Sequence, residues 1–310
     1  MENNKALTMT VFIKATANYG ESLGNVAMVQ KVFRNGKVYA VRTKESMKYA
    51  IGAQSGLSDG LQIKVDGAAK KDASPKNTAQ KDASPKNTAQ NQRWLEAGYM
   101  TTAKGGTTYT RNSSFYLTDA VSCDPFVIEP RFANNLNLAR TSAKQQGINI
   151  NEDKNATKCG LMPYQFEHDL SLKKYSITID LDRIGTDENF PGEDASADEK
   201  IFRVKALVNA VKNLRLVVKG NLDDAEPLFI IGGIGSSKTH YFDHVTDAPE
   251  RRLIINDDLK DRLNEDGYAC ALLSGDNFVN EAEIREKLKP KTMKDFFEEL
   301  NKAIVQYYKE

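Results

Sequence analysis

A long stretch without large apolar side chains divides this 310-residue chain and limits what its core can contain. From Gly67 to Gln92 there is no Leu, Ile, Val, Met, Phe, Tyr or Trp, and residues 71–80 and 81–90 are both KDASPKNTAQ. Such a segment buries too little apolar surface to offset the entropy lost on ordering it. A ten-residue period that stops after two copies is also too short for a solenoid. We expect a disordered surface insertion, with a basic tether to nucleic acid through the four lysines from Lys71 to Lys86 as the alternative.

Hydrophobic patterning on either side of this insertion predicts both strands and helices. Strands are predicted at 7–17, 38–41, 228–231, 252–256 and 268–273, and most clearly at 175–182, where YSITIDLD alternates with period two. Helices are predicted at 44–51, 201–216, 281–289 and 292–308. Thr43 is the expected cap of the first helix, and Asn35-Gly36 predicts a hairpin turn. Residues 93–165 are expected to form an irregular, mostly helical or loop-rich insertion. The remaining order is compatible with an α+β fold on a βαββαβ ferredoxin-like core.

The near-zero net charge hides separate basic and acidic blocks. There are 43 Lys and Arg against 42 Asp and Glu, yet residues 1–50 hold eight basic and three acidic residues, and residues 180–200 hold eight acidic and two basic. A basic block suits the binding of single-stranded RNA phosphates, although solvated surfaces carry such blocks too. The three cysteines are odd in number and far apart, and neither a signal peptide nor a membrane-spanning run is evident. We therefore expect a cytoplasmic protein without membrane attachment.

Two motifs suggest enzymes but lack the context that enzymes need. Residues 232–239, GGIGSSKT, match the P-loop pattern except at Ser237, and no helical apolar period follows them. His240 and His244 form an H-x3-H pair, but no third ligand or CxxC accompanies it, so a surface loop is favoured over zinc. We expect no metal, no cofactor and no catalytic residue.

Two pieces of the chain resemble one known family. The first is the run VFIKATANYGESLGNVAMVQKVFRNGKVYAVRTKESMKYAI near the N-terminus, followed by Gln54-Ser55-Gly56, and the second is the later YSITIDLDRIG. Both are similar to the DevR-type autoregulator family of CRISPR-associated proteins. This family provides the repeated backbone subunit of the type I-B Cascade complex, within the seven group of Cas proteins. The resemblance implies an RRM-like (ferredoxin-like) palm with a large finger insertion and a thumb loop.

Carried onto this chain, the resemblance implies a domain division and a set of RNA-binding residues. The palm would span 1–58 and 165–310, with the thumb at about 185–200, and the fingers would span 59–164 and include the disordered repeat 67–92. The family's guide-contacting loop and helix start, together with the local basic residues, correspond to Ser22, Gly24, Asn25, Lys31, Arg34, Arg42, Lys44, Ser46 and Lys48. Gly233, Gly235 and Lys238 are candidates for a second backbone contact, and Phe190 and Pro191 for a thumb wedge.

The resemblance also implies partners. Several copies would stack along one CRISPR guide RNA (crRNA), beside other Cascade subunits, and base pairing through the guide would read target DNA. The candidate thumb is acidic, so we expect its carboxylates to meet a basic patch on the next copy, for instance Arg203, Lys205 and Lys212. Relatives in type III systems cut RNA with an aspartate in the loop after the first strand, and here no Asp precedes Asp59. We expect a non-catalytic subunit; a P-loop-like NTPase, an RNA-cleaving type III-like nuclease and a transcriptional autoregulator are the alternatives.

Overall fold

A computed structural model describes residues 5–20, 26–59, 89–102, 108–152, 155–189, 192, 194–218 and 221–309. Strands within these ranges are β1 (Ala6–Thr16), β2 (Val26–Ala27), β3 (Lys31–Arg34), β4 (Lys37–Arg42), β5 (Tyr99–Thr102), β6 (Thr108–Arg111), β7 (Phe115–Leu117), β8 (Ala120–Ser122), β9 (Pro130–Ala133), β10 (Tyr164–Glu167), β11 (Leu170–Asp180), β12 (Arg215–Val218), β13 (Asn221–Asp224), β14 (Phe229–Gly235) and β15 (Tyr268–Leu272). Helices are α1 (Lys44–Gln54), α2 (Leu136–Gln146), α3 (Asn155–Lys158), α4 (Ala197–Lys212), α5 (Asp257–Leu263), α6 (Glu281–Leu288) and α7 (Met293–Lys309). The predicted α+β class is confirmed.

A large antiparallel sheet forms the centre of the molecule. Its strand order is β15-β14-β1-β11-β8-β4-β3, and β7 pairs with β11 beyond the end of β8. Strand β1 pairs with β11 over its whole length, from Ala6 opposite Asp180 to Thr16 opposite Leu170. The predicted strands at both places are therefore confirmed, and they are direct neighbours.

The two faces of this sheet are covered differently. On one face the odd-numbered residues of β1, including Leu7 and Met9, pack with α1, α4 and α7 in the largest hydrophobic cluster. On the other face Phe12 packs with Phe229 and Phe278 in a second cluster supplied by residues 228–288. The second face also carries hydroxyls, among them those of Thr8 and Thr178, whose oxygen atoms lie 3.2 Å apart. Burial on both faces explains why β1 reads as a continuous apolar run.

Residues 93–165 differ from the expectation of a mostly helical or loop-rich insertion. They supply β7 and β8 to the central sheet, and β5, β6 and β9 to smaller sheets. Each of these strands has only three or four residues, which is too short for a period of two to show in the sequence. The helices of this region, α2 and α3, have few buried residues.

The predicted strand at 252–256 is wrong, because a side chain replaces a neighbouring strand there. The amide of Asn280 accepts a hydrogen bond from the Leu253 N–H at 3.0 Å and donates one to the Leu253 carbonyl at 2.9 Å. Leu253 is buried in the second cluster although it belongs to no sheet. The sequence pattern thus marked Leu253 as a buried apolar residue, but the side chain that hydrogen-bonds its backbone lies 27 positions away on a loop.

The duplicated segment lies mostly outside the described residues, since only 89–92 of 67–92 are described. Among the helices of the described ranges, none combines the length and the apolar character needed to cross a bilayer.

Candidate nucleic-acid interface

The start of α1 is fixed to the end of β1 by a small polar network. Thr43 caps the helix, its hydroxyl accepting from the Ser46 N–H at 3.4 Å, as the sequence predicts. Asn18, just after β1, accepts from the Thr43 N–H at 2.8 Å and donates to the Ser46 hydroxyl at 3.1 Å. The Lys44 N–H bonds the carboxylate of Asp119 at 2.8 Å, while its side chain is exposed. We call Asn18, Arg42, Thr43, Lys44 and Ser46 the α1 patch.

Arg42 is the unusual member of the α1 patch. It ends β4 and is only 4% exposed, yet its Nε and Nη1 atoms have no hydrogen-bond partner in the described structure. Burial lowers the pKa of its guanidinium, and the carboxylate of Asp223 acts in the opposite direction. Asp223 itself accepts from both the N–H and the hydroxyl of Thr16, at 2.8 and 2.5 Å. A buried guanidinium without these bonds is costly unless an anion or a carbonyl completes its environment.

Lys48 joins α1 to the insertion. Its ammonium donates to the Ala97 carbonyl at 3.0 Å and to the Ser113 hydroxyl at 2.9 Å, and it lies 4.9 Å from the centre of the Phe115 ring. Burial lowers the pKa of Lys48 to about 8. The structure thus gives this amine a structural role, and its contact with RNA stays a prediction.

The β3–β4 hairpin carries two more of the predicted residues. Its turn is the expected one, with Asn35 and Gly36 at φ of 50° and 76°. Lys31 forms an ion pair with Glu167 at 2.6 Å and lies over the Phe126 ring, so its charge is partly compensated. Arg34 is exposed at the end of the hairpin. The predicted residues Ser22, Gly24 and Asn25, and the wedge residues Phe190 and Pro191, lie outside the described residues.

The glycine-rich run that resembles a P-loop, residues 232–239, begins within a strand. Gly232, Gly233 and Gly235 belong to β14, where the missing side chains permit close packing of neighbouring strands. A Cβ on Gly232 would lie 2.0 Å from the Thr8 carbonyl oxygen, and one on Gly233 would lie 1.8 Å from that of Gly267. The structure does not support the P-loop alternative, since these glycines serve strand packing and the next α-helix begins only at Asp257.

Lys238 is held by acidic partners. Its ammonium pairs with Asp180 at 2.7 Å and Asp182 at 2.6 Å. Burial would lower the pKa of Lys238, but the hydrogen bonds and charges of these carboxylates raise it above its usual value. Any contact of this lysine with a phosphate must therefore compete with two carboxylates.

The histidine pair does not form part of a metal cluster. His240 bonds the Thr178 hydroxyl through Nδ1 at 2.9 Å, and burial lowers its pKa in spite of the nearby Asp243. His244 is exposed. In the described ranges no group of three or more His, Cys, Asp or Glu is arranged to hold a metal ion.

A fully buried ionic cluster, which the sequence did not reveal, fixes the loop at 183–189. The Glu96 carboxylate accepts from Arg203 at 2.8 Å, from Arg111 at 3.2 Å and from the Gly185 N–H at 2.8 Å. All three ionic side chains are 0% exposed. Arg111 also donates to the carbonyls of residues 183 and 186, both at 2.9 Å. Arg203 is therefore not available for the expected contact with a neighbouring copy, because it is a buried partner of the insertion.

Comparison with known proteins agrees with the resemblance seen in the sequence. No curated protein matches significantly. The protein is similar in fold to two chains of solved structures, titled "CRISPR RNA-guided surveillance complex" and "CRISPR RNA-guided surveillance complex, pre-nicking". The TM-scores are 0.56 and 0.55, and the sequence identities are 13% and 12%. The alignments cover 97% and 98% of this chain and 98% and 99% of those chains. A family model matches residues 7–242. The chain therefore belongs to the family described as CRISPR-associated negative auto-regulator DevR/Csa2.

Proposed function

We propose that the chain is a non-catalytic backbone subunit of a type I CRISPR surveillance complex, Cascade, in which several copies bind one crRNA. Its family and its likeness in fold to chains of RNA-guided surveillance complexes support a role in such a complex. In this role the protein holds the guide, and base pairing of the guide with target DNA supplies the sequence specificity. We further propose subtype I-B and a cytoplasmic location, as the sequence resemblance implies.

The observation that carries the proposal is the buried guanidinium of Arg42, of which Nε and Nη1 have no hydrogen-bond partner in the described structure. Arginine stays charged under all ordinary conditions, and its planar donors match a phosphate. The exposed side chain of Lys44 and the hydroxyls of Thr43 and Ser46 lie in the same patch. A phosphate of the guide at this patch would place a negative charge beside the Arg42 guanidinium, whose Nε and Nη1 have no hydrogen-bond partner in the described structure.

The architecture suits this role. We propose that the central sheet with α1, α4 and α7 is the RRM-like palm, that 59–164 are the fingers, and that 185–200 form the thumb with Phe190 and Pro191 as its wedge. The Glu96 cluster supports this division because it fixes the first residues of the proposed thumb to the fingers. Further copies of the chain and other Cascade subunits are the proposed protein partners.

The test compares the RNA affinities of two arginine variants. Arg42→Met keeps the apolar stem but removes the guanidinium, while Arg285→Met removes an exposed arginine on α6 that pairs with Glu281 at 2.7 Å. Binding of a fluorescent crRNA is measured by anisotropy across a salt series. We expect Arg42→Met to weaken binding about ten- to hundredfold, as loss of charged hydrogen bonds implies, and to lower the salt slope by about one. Arg285→Met is expected to bind like the wild type.

Thermal unfolding separates a ligand-binding role from a structural one. Because Arg42 is buried without these hydrogen bonds, we expect Arg42→Met to unfold at the same temperature as the RNA-free wild type or above it. Equal RNA affinity of the two variants, or a lower unfolding temperature that accounts for the lost affinity, would contradict the proposal. Tight, specific binding of a promoter duplex instead of crRNA would favour the transcriptional autoregulator.

A further inference from the structure

A cavity on the second face of the central sheet lies opposite the helix-covered face that carries Arg42. Its volume is about 860 Å³, within the range of ~300–1,000 Å³ that small-ligand sites occupy. Residues 237–244 form one wall, and the ends of β7 and β11, with Tyr116 and Thr178, form the other. The end of the segment that resembles a P-loop in sequence and the histidine pair thus meet at this cavity, which none of the residues of the α1 patch lines.

Hydrogen bonds to the sheet hold the 237–244 wall in place. The Thr8 and Thr178 hydroxyls donate to the Thr239 carbonyl at 3.1 and 2.9 Å, and Thr178 also bonds His240 Nδ1. The Ser176 hydroxyl donates to Asp243 at 2.9 Å. These bonds join the wall to buried positions of β1 and β11, so the cavity is a preformed feature rather than a gap beneath a loose loop.

One wall offers an aromatic surface for a flat ligand. Tyr116 lies directly opposite Thr178 in the β7–β11 pairing, so both side chains point to the same face of the sheet. The Tyr116 side chain is 45% exposed although it lies in the central sheet. An exposed tyrosine at the edge of a cavity is suited to stack on a nucleobase, because every base has a π-face and the hydroxyl stays in contact with water.

Beside the 237–244 wall, Arg262 of α5 offers a cation for an anionic group. The Arg262 guanidinium lies 4.6 Å from the centre of the Tyr241 ring and donates to the Tyr241 carbonyl, which fixes its position. Within the described part of the chain no carboxylate lies within ion-pair distance of Arg262, in contrast to Lys238 in the same cavity. A guanidinium that is fixed in position and keeps further N–H donors for a ligand is suited to bind a phosphate. The exposed His244 lies in the same lining.

From these features we infer that the cavity binds a nucleoside phosphate, with its base on Tyr116 and its phosphate at Arg262, independently of the guide. The ligand is either a free mononucleotide or one nucleotide of a single strand other than the guide, since both present the same base and phosphate. The inference goes beyond guide binding and does not use the α1 patch.

The experiment titrates the full-length chain with 2-aminopurine riboside monophosphate, whose fluorescence is quenched on stacking. Tyr116→Ala is expected to weaken binding about tenfold, the loss expected for a stacking side chain, whereas Tyr116→Phe keeps wild-type affinity. The matched control is Tyr164→Ala, since Tyr164 is 43% exposed but lies on β10, in a different sheet. Arg262→Gln is expected to abolish the preference for the monophosphate over the free riboside.

Two further titrations assign the source and test independence. A hexanucleotide of single-stranded DNA carrying one 2-aminopurine is compared with the mononucleotide, and the tighter Tyr116-dependent ligand identifies the source. The same titrations are repeated with Arg42→Met and with guide-loaded protein, and both are expected to bind as the free wild type does. Equal affinity of Tyr116→Ala and Tyr164→Ala would overturn the inference, as would loss of binding when the guide is loaded.

Discussion

Replacing Glu96 by alanine is the most direct test of how the insertion and the 183–189 loop are held together. The substitution leaves the guanidinium groups of Arg111 and Arg203 buried without their shared carboxylate, and leaves the Gly185 N–H without its acceptor. Arg203 keeps one ionic partner, Glu199, at 2.9 Å. We therefore expect a large loss of stability rather than a local adjustment.

The magnitude follows from the burial of the cluster. Removing one partner of a buried ion pair costs about 3–5 kcal/mol, because the remaining charge is left uncompensated. Glu96 serves two arginines at 0% exposure, so the upper part of this range applies. At about 2–4 °C per kcal/mol for a chain of this size, the midpoint of thermal unfolding is expected to fall by on the order of 10 °C.

The assay is thermal unfolding of Glu96→Ala beside Glu298→Ala, with hydrogen exchange as a local measurement. Glu298 is a fair control because its pair with Lys294, at 3.9 Å, is exposed and is expected to contribute about 0–1 kcal/mol. Amides at 183–189 should exchange faster in Glu96→Ala at a temperature where the fold persists. Equal unfolding temperatures of the two variants, with unchanged exchange at 183–189, would refute the role assigned to the cluster.

Three further outcomes are expected. Gly233→Ala should lower the free energy of unfolding by more than about 3 kcal/mol, measured by urea denaturation, because its Cβ would overlap the Gly267 carbonyl; wild-type stability would contradict strand packing as the role of this glycine. The Lys48 amine should titrate near pH 8 by NMR, and a midpoint above 10 would contradict its burial. Because its pKa is lower in the folded protein than the value of about 10.4 in an unfolded chain, the free energy of unfolding should rise as the pH increases from 8 to about 10.4. Cys123 and Cys270 should resist iodoacetamide at pH 8 in mass spectrometry, because burial raises the pKa of each thiol to about 12, and rapid alkylation of the folded protein would contradict this.

The sequence predicted the elements whose patterns are local and long. Strand β11, the hairpin turn at Asn35-Gly36, the Thr43 cap and the amphipathic helix α7 are all found close to their expected places. Each depends on contacts within one element or one turn, so neighbouring residues carry the signal. Family membership was also recognised from two such local runs, and the match over residues 7–242 confirms it.

The remaining features depend on partners that are distant in the chain. The hydrogen bonds between the Asn280 side-chain amide and the Leu253 backbone cannot be inferred from either position alone. The same holds for Glu96, whose two arginine partners lie 15 and 107 positions away. The strand-packing role of the P-loop-like glycines could not be predicted, because a glycine that lies against a phosphate and one that lies against a neighbouring strand have the same sequence signature.

The nearly equal numbers of basic and acidic residues correspond to ion pairs within the fold as well as to separate basic and acidic blocks along the chain. Several of the basic residues that seemed free in sequence are engaged, Lys31 by Glu167, Lys238 by two aspartates and Arg203 by Glu96. Arg42 is the contrasting case, since it is buried and Nε and Nη1 have no partner in the described structure. A charge count alone therefore could not distinguish the residues that pair within the fold from one that is buried without partners for two of its nitrogen atoms.

Sequencing the RNA that co-purifies with the chain tests the central claim most directly. The account predicts RNA of uniform length composed of CRISPR repeat and spacer sequence, with a markedly smaller amount recovered from Arg42→Met than from Arg285→Met. Protein that is free of nucleic acid, or that carries a random sample of cellular transcripts in equal amounts for both variants, would contradict it.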